Sequence, residues 1–269
     1  MDKIPTNKVQ MKRIKTYIDG LDEQMEGGIP QGHIVLICGI AGTMKSSLCF
    51  NILYNEVLKG ANALYISLEQ SSTSLINHLV NLDFDLKKIN MITISDISKI
   101  NEEFAKIKSG KGALVMTDIG TIRKEISATK IGPSGDWLNV IKNLIKKMQQ
   151  KSGCDLFVLD SLSAMYVLTE FEHPRAELFY LFDFLRDSQI TTFLISEMPL
   201  DRSRYGTFEI EDFLADGVIK VDLVQRQRKI TREISVVKMR ATDCNIDVFS
   251  LEFEGGKFKA LYGGKPALI

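Results

Sequence analysis

Apolar residues recur along the chain with two periods, and the period changes near residue 217. The run HIVLIC at 33–38 is short, apolar after its histidine and followed by glycine, as expected of a strand buried on both faces of a parallel sheet. Lys45–Leu58 then reads as a helix with Leu48, Ile52 and Leu53 to one side, Ala61–Leu68 as a strand, and Ser71–Leu82 as a helix opened by Ser and Thr caps. Ile89–Ile94, Ala113–Thr117, Asp155–Leu159 and Thr191–Ile195 read as further strands. Helices are predicted near 98–108, 136–150 and 174–188. In the second of these, Leu138, Ile141, Ile145 and Met148 keep one face. Gly20–Gly32 reads as a short helix broken by Gly27, Gly28 and Pro30. Strands alternating with helices of this length predict βαβ units, hence an α/β fold with a mostly parallel central sheet flanked by helices. Beyond 217 the period becomes two. Strands at 217–224, 231–240, 246–253 and 257–262 follow one another, and in the third Phe249, Leu251 and Phe253 alternate with Ser250, Glu252 and Glu254. This predicts a half-exposed antiparallel C-terminal extension. Residues 1–18 read as a basic arm, with Lys3, Lys8, Lys12, Arg13 and Lys15 against Asp2, and 19–269 as one domain.

Composition changes this picture little. The 269 residues carry 34 Lys+Arg and 34 Asp+Glu, and 45% are hydrophobic, which excludes a disordered or low-complexity chain and argues against a constitutive nucleic-acid coat. Cys38, Cys49, Cys154 and Cys244 form no CxxC pair and match no zinc spacing, so reduced thiols are expected. His33, His78 and His173 are scattered and read as structural or surface residues. No apolar run reaches the roughly 18 residues of a membrane span, and no signal peptide is recognised. A cytoplasmic protein is expected.

The densest local chemistry is GIAGTMKS, Gly39–Ser46, between a predicted strand and a predicted helix. The phosphate-loop pattern is G-x-x-x-x-G-K-[ST]. Its backbone N–H groups point at phosphate oxygens, and the helix N-terminus adds its positive dipole end. The expected nucleotide-binding residues are Gly39, Ile40, Ala41, Gly42, Thr43, Met44, Lys45, Ser46 and Ser47. Lys45 would reach the β- and γ-phosphates and Ser46 would ligate Mg²⁺. The second glycine of the pattern is replaced by Met44. Three further strands end in carboxylates. CDLFVLD ends at Asp160, a second Mg²⁺ candidate; LYISLE ends at Glu69, placed to orient or deprotonate attacking water; TTFLISE ends at Glu197, a candidate sensor. Ligands of open α/β sheets bind at the carboxyl ends of the strands, so these residues converge on one edge.

Five segments, in order, make the chain similar to the KaiC-like ATPases of the RecA superfamily, in the group of archaeal KaiC-like proteins and RadA paralogues. They are GLDEQMEGGIPQGHIVLICGIAGTMKS, ISLEQ, VLDSLSA, EIEDFLADGVIKV and VVKMRAT, and they span roughly residues 19–254. The resemblance implies a RecA-like P-loop fold, ATP and Mg²⁺ as cofactors, and a ring homo-oligomer, commonly a hexamer, with nucleotide at subunit interfaces. It gives Lys45, Ser46 and Asp160 the phosphate and metal roles and Glu69 the catalytic acid position. Lys238 and Arg240 match residues that reach the neighbouring subunit's γ-phosphate. The family often has two adjacent acids where this chain has Glu69–Gln70. With Met44, that departure points to slow hydrolysis and a regulatory or signalling switch acting on a protein partner.

Two alternatives stand beside it. A recombinase-type DNA-binding ATPase would use loops at about 163–175 and 198–216. Arg175, Arg202 and Arg204 there are offset by Glu170, Glu172, Glu209, Glu211 and Asp212. The stretch Gln225–Arg232, with Arg226, Arg228, Lys229 and Arg232, reads as an exposed hairpin with a nucleic-acid contact as its alternative. The clock branch of the family adds autophosphorylation, for which Ser203 and Thr207 are the loop hydroxyls in reach.

Overall fold

Three short strands, β1 (Arg13–Ile14), β2 (Ile18–Asp19) and β3 (Ile29–Pro30), lead into β4 (Ile34–Gly39), all six of whose residues are buried. The computed structural model describes residues 11–107, 110–128, 137–169 and 171–262. Lys3 and Lys8 of the basic arm and Glu170 lie outside these. The alternation continues with α1 (Lys45–Leu58), β5 (Asn62–Ser67), α2 (Ser72–Asn81), β6 (Asn90–Thr93), α3 (Ile100–Ala105), β7 (Ala113–Asp118), α4 (Ile119–Ala128), α5 (Trp137–Ser152) and β8 (Leu156–Asp160). It ends with α6 (Leu162–Leu168), α7 (Pro174–Asp187), β9 (Thr191–Glu197), α8 (Glu211–Leu214), β10 (Gly217–Arg226), β11 (Lys229–Met239), β12 (Val248–Glu254) and β13 (Lys257–Tyr262). Among the described residues, no helix is long and apolar enough to cross a membrane.

Among the described residues, eleven strands form one sheet in the order β2-β13-β12-β11-β10-β4-β9-β8-β5-β7-β6. The strands from β10 to β6 run parallel, and β11, β12 and β13 follow antiparallel. Two apolar layers cover the faces. One packs Leu48, Ile52 and Leu53 of α1 and Leu75 of α2 against the sheet; the other packs Ile141, Ile145 and Met148 of α5 with Leu178 and Phe182 of α7. The helix faces read from spacing are thus the ones buried.

Three differences from the sequence reading stand out. Spacing groups residues 217–224 with the antiparallel extension, but β10 pairs parallel to β4, with Gly217 opposite Val35, and antiparallel to β11. It is the hinge strand between the two kinds of sheet, and its first half is buried like β4. The helices α4 and α6 were not foreseen. α4 starts directly from β7, where Asp118 accepts from the Thr121 N–H at 3.0 Å and from the Ser72 N–H at the start of α2 at 2.7 Å. α6 is capped by Ser161, whose hydroxyl accepts from the Ala164 N–H at 3.2 Å. Within Gly20–Gly32, the helix shrinks to a single 3₁₀ turn at Asp22–Met25.

Candidate functional site

β4 delivers the loop. Its last residue, Gly39, has no room for a side chain, because a Cβ would sit 2.1 Å from the Val221 carbonyl oxygen of β10. The chain passes Gly42 and then Met44, at φ 70°, ψ 27°, before α1 begins at Lys45. That left-handed conformation explains the glycine of the pattern, since an L side chain crowds its own backbone there. Met44 adopts the conformation all the same, with its side chain half-buried against the layer around α1. The side chain departs from the pattern, while the backbone angle that glycine favours is kept. Thr43 is buried and its hydroxyl donates to the Ile40 carbonyl at 2.8 Å. Among the described residues no side chain caps α1, so its first N–H groups, at the positive end of the helix dipole, have no side-chain acceptor there.

This loop forms one wall of a cleft of about 720 Å³. Lys45 is 6% exposed; its Nζ donates to the Gly39 and Ile40 carbonyls at 3.0 Å each and pairs with Glu197 Oε1 at 2.7 Å. Asp160 is 1% exposed at the end of β8. The Tyr65 hydroxyl donates to its Oδ2 at 2.6 Å, and its Oδ1 is buried with no partner among the described residues. Burial pushes the Asp160 carboxyl up to about 6, against the lowering effect of the Tyr65 hydrogen bond and the nearby Ser46 hydroxyl. An unpartnered carboxylate oxygen beside a serine hydroxyl is a donor set that fits a hard, oxygen-seeking cation such as Mg²⁺. Glu69 is exposed just after β5, and the Ser161 hydroxyl donates to its Oε1. Ala41–Ser47, Glu69, Asp160 and Glu197 therefore line one cleft.

The structure adds residues that the sequence reading missed. His78, read as structural or surface, lines the cleft, with Nε2 3.1 Å from Ser47 Oγ. It stands between Ser74 and Leu82 at four-residue spacing, so the helical period was the available signal. Arg232 and Phe253 close the far wall from β11 and β12. Arg232 pairs in register with Leu251, two residues before Phe253, and its Nε is buried without a partner among the described residues. The hairpin reading of 225–232 therefore holds as far as Ile230, which is 66% exposed, and fails at Arg232, which turns inward. No sequence signal marks this pair, because the cross-strand register creates it.

Lys238 and Arg240 are not in the cleft. Met239 pairs with Gly217, the first residue of β10, at the edge of the sheet opposite the phosphate loop. There Lys238 Nζ donates to the Asp212 carbonyl, and Arg240 donates to Asp216 Oδ1 at 2.9 Å and to the Phe213 carbonyl at 3.1 Å. Of the arginines considered for nucleic acid, three are paired with carboxylates: Arg202 with Asp222 at 2.8 Å, Arg204 with Glu209 at 3.2 Å, and Arg226 with Glu233.

A family model for KaiC ATPases matches residues 14–257. A UPF0273 protein of Saccharolobus solfataricus is 30% identical over 233 residues, 86% of this chain and 76% of that one. The circadian clock protein KaiC3 of Synechocystis is 24% identical over 235 residues, 87% of this chain and 42% of that protein. Among solved structures, a KaiC-like protein from Pyrococcus horikoshii superposes with a TM-score of 0.70 at 22% identity, covering 93% of this chain and 99% of that one.

Proposed function

The chain belongs to the KaiC family of ATPases, and from that premise we propose that it is a slow, Mg²⁺-dependent ATPase that assembles into a ring, a hexamer by the family pattern, and works as a nucleotide-dependent switch. The observation that carries this reading is the pairing, across one cleft, of the uncapped N-terminus of α1 with the unpartnered Oδ1 of Asp160. The first is suited to phosphate and the second to a cation.

Each residue then has a task. The N–H groups of Ala41–Ser47 receive the phosphates. Lys45 moves its charge from Glu197 to the phosphate oxygens, and Glu197, released, reports that the site has filled. Ser46 and Asp160 would hold Mg²⁺, which when bound supplies charge neutralisation on the phosphates. Glu69 orients the attacking water. The Phe253 ring, Leu82, His78 and Arg232 form the far wall against which the nucleoside end lies.

Slow turnover follows from Gln70, which cannot serve as a second base, and from Glu69 being tied to Ser161. Ring assembly is supported by the position of Lys238 and Arg240. They lie at the sheet edge away from their own loop, beside Phe213, which is 73% exposed. A head-to-tail neighbour would bring that edge to the next subunit's cleft. The partner that reads such a switch would be a protein.

Fluorescent ATP-analogue binding with and without Mg²⁺, paired with the mass of the assembly in solution, tests the reading. Mg²⁺-enhanced binding and a nucleotide-dependent oligomer are expected. Absence of nucleotide binding would overturn it, and binding by a persistent monomer would remove the ring and leave the ATPase.

A further inference from the structure

β5 carries a tyrosine where the core needs only a ring. Tyr65 is fully buried between the strands on either side, and a phenylalanine would fill the same space with no polar atom to satisfy. Its hydroxyl instead donates to Oδ2 of Asp160 at 2.6 Å. The two residues lie on neighbouring strands, with Tyr65 opposite Val158 and Ser67 opposite Asp160. An ionised carboxylate only accepts, so the phenol is the donor.

The Asp160 carboxylate has reason to turn. The torsion that rotates its plane is broad and roughly two-fold. The charge of Lys45 and the hydroxyl of Ser46 both act on it, and Glu69 repels it. Among the described residues, Oδ2 has the Tyr65 hydroxyl as its hydrogen-bond donor, whereas the buried Oδ1 has none. Tyr65 therefore fixes which oxygen is presented.

We propose that Tyr65 is a positioning residue for the Mg²⁺-bearing carboxylate: its hydroxyl anchors Oδ2 of Asp160 so that Oδ1 stays aimed at the cation. This deepens the proposed function and rests on its reading of the cleft. Partners that orient a metal-bearing group typically contribute about 10- to 100-fold to metal affinity. With one anchoring bond at stake, about tenfold is expected.

The test uses Tyr65→Phe in the full chain. Retention of a fluorescent ATP analogue is titrated with Mg²⁺ and compared with its affinity in EDTA. The variant should need about tenfold more Mg²⁺ at the midpoint while its EDTA affinity stays at the wild-type value. An unchanged or lower midpoint would overturn the role. So would an equal loss in EDTA, which would trace the effect to packing of the loop. A second comparison places Tyr65→Phe in an Asp160→Asn background, where no carboxylate is left to orient and buried charge cannot destabilise the fold. There the substitution should leave the Mg²⁺ midpoint unmoved, and a persisting shift would count against the proposal. Wild-type protein that binds nucleotide identically in Mg²⁺ and EDTA would overturn the cleft reading itself, and Tyr65's role with it.

Discussion

Met44 holds a backbone conformation that costs an L-residue about 1–2 kcal/mol relative to the right-handed region, and its half-buried side chain offsets part of that cost by packing. Met44→Gly should therefore leave nucleotide affinity intact and keep or raise the ATPase rate, with a stability change within about 1 kcal/mol in either direction. Turnover and thermal unfolding measured on the same preparation check this. A large loss of binding in a folded variant would make the methionine a working part of the loop. Lys45 is the complementary case. Its contacts with two loop carbonyls and Glu197 are ones that phosphate oxygens can replace. Lys45→Ala is expected to abolish ATP retention while the circular dichroism spectrum stays that of the wild type. Equal affinity in the variant would sink the assignment.

At the scale of the element, the loop between β9 and β10 is organised by charges inside it. Glu211 is fully buried and accepts from the Tyr166 hydroxyl at 2.9 Å, the Phe208 N–H at 3.0 Å and the Ile210 N–H at 3.1 Å. A Cβ at Gly206 would stand 2.4 Å from its Cδ. Glu211→Gln replaces one acceptor oxygen by an amide group that faces donors, and buried unmade hydrogen bonds cost about 1–3 kcal/mol. A fall of that size in unfolding free energy, read from a urea midpoint, is expected. Because the Asp212 and Phe213 carbonyls hold Lys238 and Arg240, the same variant should loosen those cations.

The front of this loop is tied to β10 by Asp222. Burial raises the Asp222 carboxyl, but hydrogen bonds from Arg202 and Lys220 and from the Leu223 N–H outweigh it, so the group lies below the usual aspartate value. A depressed acid stabilises the fold above its unfolded value of about 4, and that contribution is lost as pH falls through the lower folded value. Asp222→Asn should lower stability at neutral pH and flatten the acid limb of the stability curve. An unchanged acid limb would refute the tether.

For the whole molecule, the decisive geometry is the separation of the phosphate loop and Arg240 at opposite edges of one sheet. Within a single subunit they do not share the cleft, so Arg240 can act on nucleotide only across an interface. Arg240→Ala is expected to bind ATP in its own loop and to lose at least about tenfold in hydrolysis, since a cation supplied in trans can be worth far more than that. In the proposed ring, mixing the Lys45→Ala and Arg240→Ala variants would pair some intact loops with an intact Arg240 next door. Those rings should regain activity that neither variant has alone. No recovery in demonstrably mixed rings, or full activity in the Arg240 variant, would count against action in trans.

How much of this was legible without coordinates depends on how local each cause is. Lys45–Leu58 is readable to the residue, and the α/β alternation with it, because side-chain period and the strand–loop–helix motif act within a few residues. The carboxylates Asp160, Glu69 and Glu197 were readable too, because parallel strands place their C-terminal ends on one edge by topology alone. What stayed hidden was created by pairings distant in sequence. β10 looked like one more antiparallel strand until its register with Val35 placed it beside β4. Arg232 reads as solvent-facing, yet the pairing of β11 with β12 sets it, with Phe253, in the same cleft as the phosphate loop. Nothing local marks Tyr65, whose role depends on its strand lying next to the one that ends in Asp160. By itself the sequence determined most of the elements, though not α4 or α6, and the chemistry at the ends of the parallel strands, through local spacing. The tertiary structure alone decided which of those side chains meet, because strand order and cross-strand register arise from contacts that no local pattern encodes.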